Sequence, residues 1–233
     1  MRHIVNVFLF LASSTAMAGD YTEVRNLSVD AADAATVKIW AGAGGLTVRG
    51  EDGLDRVVVV ATITIPDTDE EKGRAKAEKK ARLELERDRQ DILLKADFRS
   101  GLWSSYGRID LDVRVPARVA LVVEDGSGFI DIANIQGAVD VDDGSGAVDI
   151  RNVGSLDIDD GSGSIDVETV AGDVMVDDGS GQIDIAAVGG TVTIDDGSGS
   201  IRVRDVSGDL VIVDDGSGSL EFNDIRGTVL HDD

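Results

Sequence analysis

The chain has 233 residues, a formal net charge of −23, 28 glycines, two prolines, two histidines and no cysteine. The lack of cysteine excludes a disulfide framework, a thiolate metal site, a cysteine nucleophile and a lipidated-cysteine anchor. Scarce aromatics (4%) and abundant glycine fit many short strands joined by tight turns, not a helical bundle.

Residues 1–18 read as an export signal. Arg2 and His3 give a positive start, Ile4 to Ala12 an apolar run, and Ala16-Met17-Ala18 a small-residue cleavage site before Gly19. The run is too short to anchor in a bilayer, so the protein is expected in the periplasm, secreted or at the cell surface. Residues 19–118 carry 19 acids and 17 bases, whereas residues 119–233 carry 26 acids and 4 arginines. That acidity repels nucleic acid and anionic membrane, and leaves cations or basic partners.

The N-terminal part, residues 19–118, alternates like a sheet at Val24 to Val29 and at Val37-Lys38-Ile39-Trp40. Gly44 to Gly50 looks like a diverged rung of a later repeat, and Val57 to Ile65 is a β-branched run stopped by Pro66. Asp67-Thr68-Asp69 supplies N-cap chemistry for a helix over residues 69–83, with Ala75, Ala77, Ala81 and Leu83 as its apolar positions. Pairs Glu70–Arg74 and Glu78–Arg82 support it, and Lys76, Lys79, Lys80 and Arg82 read as a solvated face rather than a binding patch. Strand patterns resume at Leu83 to Glu86 and Ile92 to Phe98. The loop from Arg99 to Arg108 holds Trp103 and Tyr106, which either cover the end of a core or form a carbohydrate platform. Ile109 to Val115 alternates strictly, and Pro116 stops it.

From there the chain repeats. Glu124-Asp125-Gly126-Ser127-Gly128 opens the series, and Asp-Asp-Gly-Ser-Gly returns at Asp142, Asp159, Asp177, Asp195 and Asp214, spaced by 17 to 19 residues. Each repeat contains two short alternating strands and two turns, and neither strand can bury its apolar side alone, so the coils must stack. The expected fold is all-β: a β-solenoid of ~18-residue coils, β-helix or β-roll-like, with one short helix inserted in the N-terminal part. Three inner ladders follow: Ile130, Val148, Ile165, Ile183, Ile201, Leu220; Ile132, Ile150, Val167, Ile185, Val203, Phe222; and Ile135, Val153, Val170, Val188, Val206, Ile225. A one-residue deletion near Gly154 and an insertion near Leu210 are expected to fall in turns or bulges.

Stacking also aligns acids. The second acid of each turn gives the candidate Ca²⁺ ligands Asp125, Asp143, Asp160, Asp178, Asp196 and Asp215, because calcium takes hard oxygens. The competing expectation is solvated turn acids that cap nearby amides. The 18-residue coil resembles the calcium-binding β-roll in part, although only one of its two turns is Gly/Asp-rich. No other cofactor is implied.

The unit Gly-Ser-Gly-x-Ile-Asp-Val…Val-x-Gly-x-Val-x-Val resembles the putative-adhesin family of exported bacterial β-strand-repeat proteins, over roughly residues 21–230. The resemblance implies an extracytoplasmic solenoid with an unassigned protein or glycan partner, and brings no catalytic or binding residues. An enzyme is disfavoured on the residues themselves: after signal removal the only histidine is His231, and the nearest catalytic-looking group is Arg202 and Arg204 beside Asp184 and Glu221. The leading expectation is a non-enzymatic envelope or surface scaffold, or an adhesin-like interaction protein. A Ca²⁺-dependent binding module comes second, and a polysaccharide lyase or hydrolase is the remote alternative.

Overall fold

The computed structural model describes residues 19–98 and 107–231. The expected signal segment and the Trp103/Tyr106 loop lie outside them. Among the described residues there are eighteen strands and one helix, and most of the strands build stacked parallel coils of about 18 residues, a β-solenoid of about six turns.

Each coil contributes one strand to each of two faces. On the first face run the opening half of β9 (Gly128–Asp143), the opening half of β10 (Gly146–Asp160), β11 (Gly163–Val170), β13 (Gly181–Val188), β15 (Gly199–Val206) and β17 (Ser219–Ile225), all parallel. On the second run β8 (Ala120–Asp125), the closing halves of β9 and β10, β12 (Val174–Asp178), β14 (Val192–Asp196), β16 (Leu210–Asp214) and β18 (Val229–His231). The register puts Val148 opposite Ile130 and Ile165, and Ile150 opposite Ile132 and Val167, so the three inner ladders form and are buried through Ile201, Val203 and Val206. Their last members fare differently because no coil covers them. Leu220 and Ile225 are partly buried, and Phe222 is 45% exposed.

The N-terminal strands cap the other end in an order that the sequence does not follow. β2 (Thr36–Ala41) and β3 (Leu46–Glu51) form a rung directly beneath β8 and β9, with Val48 opposite Ile132 and Trp40 opposite Glu124. Beneath that rung lie β6 (Asp91–Phe98) and β7 (Arg108–Pro116), which come later in the chain. The segment 36–51 is therefore inserted between two coils that follow it. Antiparallel strands close this end: β5 (Ala81–Asp88) on β6, and β4 (Arg56–Ile65) on β7, with β1 (Tyr21–Asp30) outside β4.

The helix α1 spans Glu70–Lys80, three residues short of the expected end. Asp69 caps it by accepting from the Lys72 amide at 2.9 Å. Ala81, Arg82 and Leu83 belong to β5 instead, where pairing with β6 outcompetes another helical turn. Arg82 accordingly pairs with Asp97, not Glu78. The buried helix positions are Gly73 and Ala77, and a Cβ at Gly73 would meet the Tyr21 Cβ at 2.2 Å. Glu70–Arg74 forms as expected.

Two corners set the coil. At the Gly-Ser-Gly corner the last glycine lies on the coil below: a Cβ at Gly163 would meet the Gly146 carbonyl oxygen at 1.6 Å, and Gly146 stands in the same relation to Gly128. At the opposite corner one residue per coil is left-handed: Asn134, Asn152, Thr169, Ala187, Asp205 and Asp224, with φ between 56° and 64°. Asn and Asp tolerate that conformation, whereas Thr169 and Ala187 hold it at a cost of roughly 1–2 kcal/mol. The deletion is absorbed as expected, between Val153 and Ser155. The insertion is absorbed as a bulge at Val213, in the strand that begins at Leu210, opposite the Ile194–Asp195 step, and Val213 is left 45% exposed.

Two substitutions separate these constraints. Gly163→Ala is expected to cost about 3 kcal/mol or more in urea denaturation, because backbone rather than a flexible side chain blocks the Cβ. Thr169→Asn is expected to raise stability by about 0.5–1 kcal/mol in the same assay.

Candidate functional site

The Gly-Ser-Gly corner carries two acid columns that point in opposite directions, as strand alternation requires. In β12, Val174, Val176 and Asp178 face inward while Met175 and Asp177 face out. The first acid of each corner is thus exposed: Glu124, Asp142, Asp159, Asp177 and Asp195 stand in consecutive register, one per coil. The second acid is buried. Asp125, Asp143, Asp160, Asp178 and Asp196 are between 0% and 7% exposed, which replaces the expectation of solvated turn acids. Asp215, the sixth candidate ligand, is displaced by the Val213 bulge. It is only partly buried and pairs with His231 at 3.6 Å.

The capping half of the expectation holds in four coils. The amides of Ser145, Ser162, Ser180 and Ser198 donate to Oδ1 of Asp143, Asp160, Asp178 and Asp196 at 3.0–3.3 Å. Each Oδ2 is buried without a hydrogen-bond partner. Asp125 differs, because the Ser127 amide donates to the Gly42 carbonyl of the rung below at 3.1 Å. Both Asp125 oxygens are left buried and unpartnered. Its neighbour in that rung is Ala41, so the column of buried carboxyls ends here.

Burial raises all five of these carboxyls. Asp125 is pushed up to about 7, first by burial and then by Asp143; the Gly126 amide opposes the rise without meeting the geometry of a hydrogen bond. Asp143 and Asp178 are pushed up to about 6, mainly by burial and then by acids on adjacent coils, against the pull of the Ser145 and Ser180 amides. Burial also raises Asp160 and Asp196.

The oxygens that the corners offer can be counted. Calcium takes about six to eight oxygens. The coils of Asp143, Asp160, Asp178 and Asp196 each offer a single free Oδ2 and that of Asp125 offers both oxygens, while the carbonyls of Asp125, Asp143, Asp160 and Asp178 already accept amides of the next coil. Among the described residues no group of three or more His, Asp or Glu side chains is placed to hold a metal ion. A proton on such a carboxyl removes the cost of burying its charge.

Several acids of the first face are paired with arginines. Asp131 pairs with Arg49 and Arg151, Asp149 with Arg151, and Asp184 with Arg202 and Arg204; Arg202 also reaches Glu221 at 3.5 Å. Arg202 and Arg204, the nearest approach to a catalytic group, are thus committed to ion pairs across the coils. Among the described residues no helix is long and apolar enough to cross a membrane.

Fold and corners together define the class: a parallel β-solenoid with one buried and one exposed acid per corner. No family model and no curated protein matches the chain. Among solved structures it is similar to a "putative adhesin" from Bacteroides fragilis, at 11% identity over 90% of this chain and 97% of that one, TM-score 0.39. It is similar also to a "putative cell adhesion protein" from Clostridium sporogenes, at 13% identity over 91% and 98%, TM-score 0.35. A third is a "putative lipid binding protein" from Parabacteroides distasonis, at 16% identity over 91% and 97%, TM-score 0.34. At these identities and scores the likeness carries nothing about partners or residues.

The column predicts an inverted pH dependence of stability. A carboxyl whose folded pKa lies above its unfolded value contributes stability that is complete below the unfolded pKa, near 4, and is lost as pH rises through the folded one. For Asp143, Asp178 and Asp125 the loss runs from about pH 4 to about pH 7. Urea midpoints are expected to fall over that interval. Asp178→Asn, which keeps the capping oxygen and cannot ionise, is expected to stabilise the protein at pH 8 by about 1–3 kcal/mol and to leave it little changed at pH 4.5.

Proposed function

We propose that this chain is a non-enzymatic exported solenoid that works by contact, as an envelope or surface scaffold or an adhesin-like interaction protein, and that the exposed acid ridge of its second face is the contact surface. The observation behind this reading is the contrast between the faces. On the first face Asp131, Asp149 and Asp184 are paired with Arg49, Arg151, Arg202 and Arg204, whereas Glu124, Asp142, Asp159, Asp177 and Asp195 have no ion-pair partner among the described residues. Carboxylates one coil apart, about 4.8 Å, repel by about 0.9 kcal/mol per neighbouring pair in water. A row of cationic groups relieves that repulsion, so the ridge suits a basic polypeptide or polycation and repels anionic polymers.

Octalysine measures the ridge. Calorimetric binding is expected at low ionic strength and is expected to weaken as salt is added. Asn at Asp142, Asp159, Asp177 and Asp195 together is expected to reduce affinity at least tenfold, about 1.4 kcal/mol. Asn at Asp149 and Asp166 on the first face is expected to change it little. Equal affinity for all three proteins removes the ridge from the function.

The unpartnered Oδ2 of each buried aspartate also favours a second reading, the Ca²⁺-dependent module using Asp125, Asp143, Asp160, Asp178, Asp196 and Asp215. The two separate in thermal melts with millimolar Ca²⁺ against EDTA at matched ionic strength. The scaffold reading expects no Ca²⁺-specific shift; a rise that Asp178→Asn abolishes establishes the calcium reading.

A further inference from the structure

The outward side of the second face changes character halfway along the stack. Two residues before the ridge acids on β9, β10, β12 and β14 runs a second outward row. It reads Asp140, Asp157, Met175, Thr193, Val211 and Leu230 in consecutive register. Its first two members are acids, so the coil accepts a charge at this position and stacking does not require the apolar residues that follow. Met175 and Leu230 are each 53% exposed. The bulge turns Val213 outward as well, two residues after Val211. Three of the five large apolar side chains exposed among the described residues thus share one end of one face. Single exposed apolar residues are ordinary on a protein surface, whereas a contiguous set rimmed by charge marks an interaction surface.

We propose that this row receives a basic amphipathic helix of a partner protein, laid along the stack with its apolar line on Met175, Val211 and Leu230 and its lysines or arginines over the acids on either side. The inference rests on the reading of the second face as the contact surface and specifies the shape of the partner. Charge selects the occupant. Asp177, Asp195 and Asp214 flank the row on one side. On the other, Asp173 and Asp209 stand exposed two residues before Met175 and Val211, where they accept the Thr191 and Thr228 amides at 2.8 and 2.7 Å. None of these five acids has an ion-pair partner among the described residues. A second copy of this chain laid on the row brings its own acids against them, and an anionic membrane is repelled in the same way. A cationic partner gains where both of those lose.

Spacing selects the conformation. Coils recur about every 4.8 Å, and an α-helix returns to the same side about every 5.4 Å. The three coil steps from Met175 to Leu230 span about 14 Å and three helical turns about 16 Å. Helix residues at i, i+4, i+7 and i+11 therefore stay close to the row over its whole length. An extended strand repeats its same-side residues about every 6.6 Å and leaves the row within two steps. Met175, unbranched and polarisable, adapts to the side chains that such a helix presents.

The test uses the full chain with three synthetic peptides. They are octalysine, an amphipathic Leu/Lys peptide with leucines at i, i+4, i+7 and i+11, and a peptide of the same composition with its leucines scattered round the helix. The wild type is expected to bind the amphipathic peptide about tenfold more tightly than the scattered one. Binding is expected to shift the Met175 methyl resonance and to raise the helical circular dichroism of the peptide. Thr at Met175, Val211 and Leu230 together, a change suited to exposed strand positions, is expected to abolish the preference and leave octalysine binding unchanged. If the last strand does not tolerate Leu230→Thr, the pair Met175→Thr and Val211→Thr decides, with an expected loss of about threefold or more in the preference. The amphipathic peptide with glutamine for lysine is expected not to bind. The proposal is overturned if the Thr variants keep the preference, if the scattered peptide binds the wild type equally well, or if the glutamine peptide binds as tightly as the lysine one. Failure of octalysine on every protein removes the ridge, while the difference between the two Leu/Lys peptides still decides the row.

Discussion

The close approach of one glycine to the carbonyl below it governs the rest of this molecule. Where the last glycine of a corner rests on the same glycine of the preceding coil, at a distance that no Cβ could share, the coils can superpose in only one way. That superposition brings like residues into columns. Aliphatic positions become continuous inner ladders, and each buried Val or Ile contributes about 1.5–3 kcal/mol before entropy. Acids become columns by the same geometry, with a repulsion of about 0.9 kcal/mol per exposed neighbouring pair in water. The ladders outweigh the charge, so the fold can carry an acid row that a less repetitive sheet would scatter.

How much of this is legible in the sequence depends on whether a feature is local to the coil. The ladders from Ile130 to Ile201 follow from period and alternation alone. The inward turn of Asp143, Asp160, Asp178 and Asp196 was equally available, since alternation carried on from Val174 and Val176 places Asp178 inside; the expectation of solvated acids gave polarity precedence over parity. The left-handed corner also left a trace, Asn or Asp at 134, 152, 205 and 224, which Thr169 and Ala187 obscure. The insertion of segment 36–51 between later coils left none. Its corner lacks the acid pair, and the choice of neighbours is made by contacts far apart in the chain. The end of α1 is ambiguous for a related reason. Ala81 and Leu83 suit a helix or a strand, and only β6 decides between them.

The two ends of the solenoid differ in kind. Antiparallel strands and α1 close the N-terminal end, while the last coil leaves Phe222 and Leu230 about half exposed. The same asymmetry acts on the buried acids. In the middle of the stack every Asp has a corner amide on one oxygen and a neighbouring carboxyl above and below, so its environment is set by repetition. At Asp215 the Val213 bulge breaks the pattern, and His231 supplies a partner.

Only at Asp125 does the repeat end against a rung of different composition, and there the physics of the column is carried over without its remedy. Inside the stack burial raises each carboxyl, and a corner amide caps one of its oxygens. On the outer row water and mobile ions moderate the charge. Asp125 is as buried as the first group, and its amide has been taken by Gly42. A repeat protein that stacks near-identical units has few positions where one residue can acquire a distinct chemistry. The seam between diverged rung and regular coil is such a position, and here it leaves a buried carboxyl without its donors.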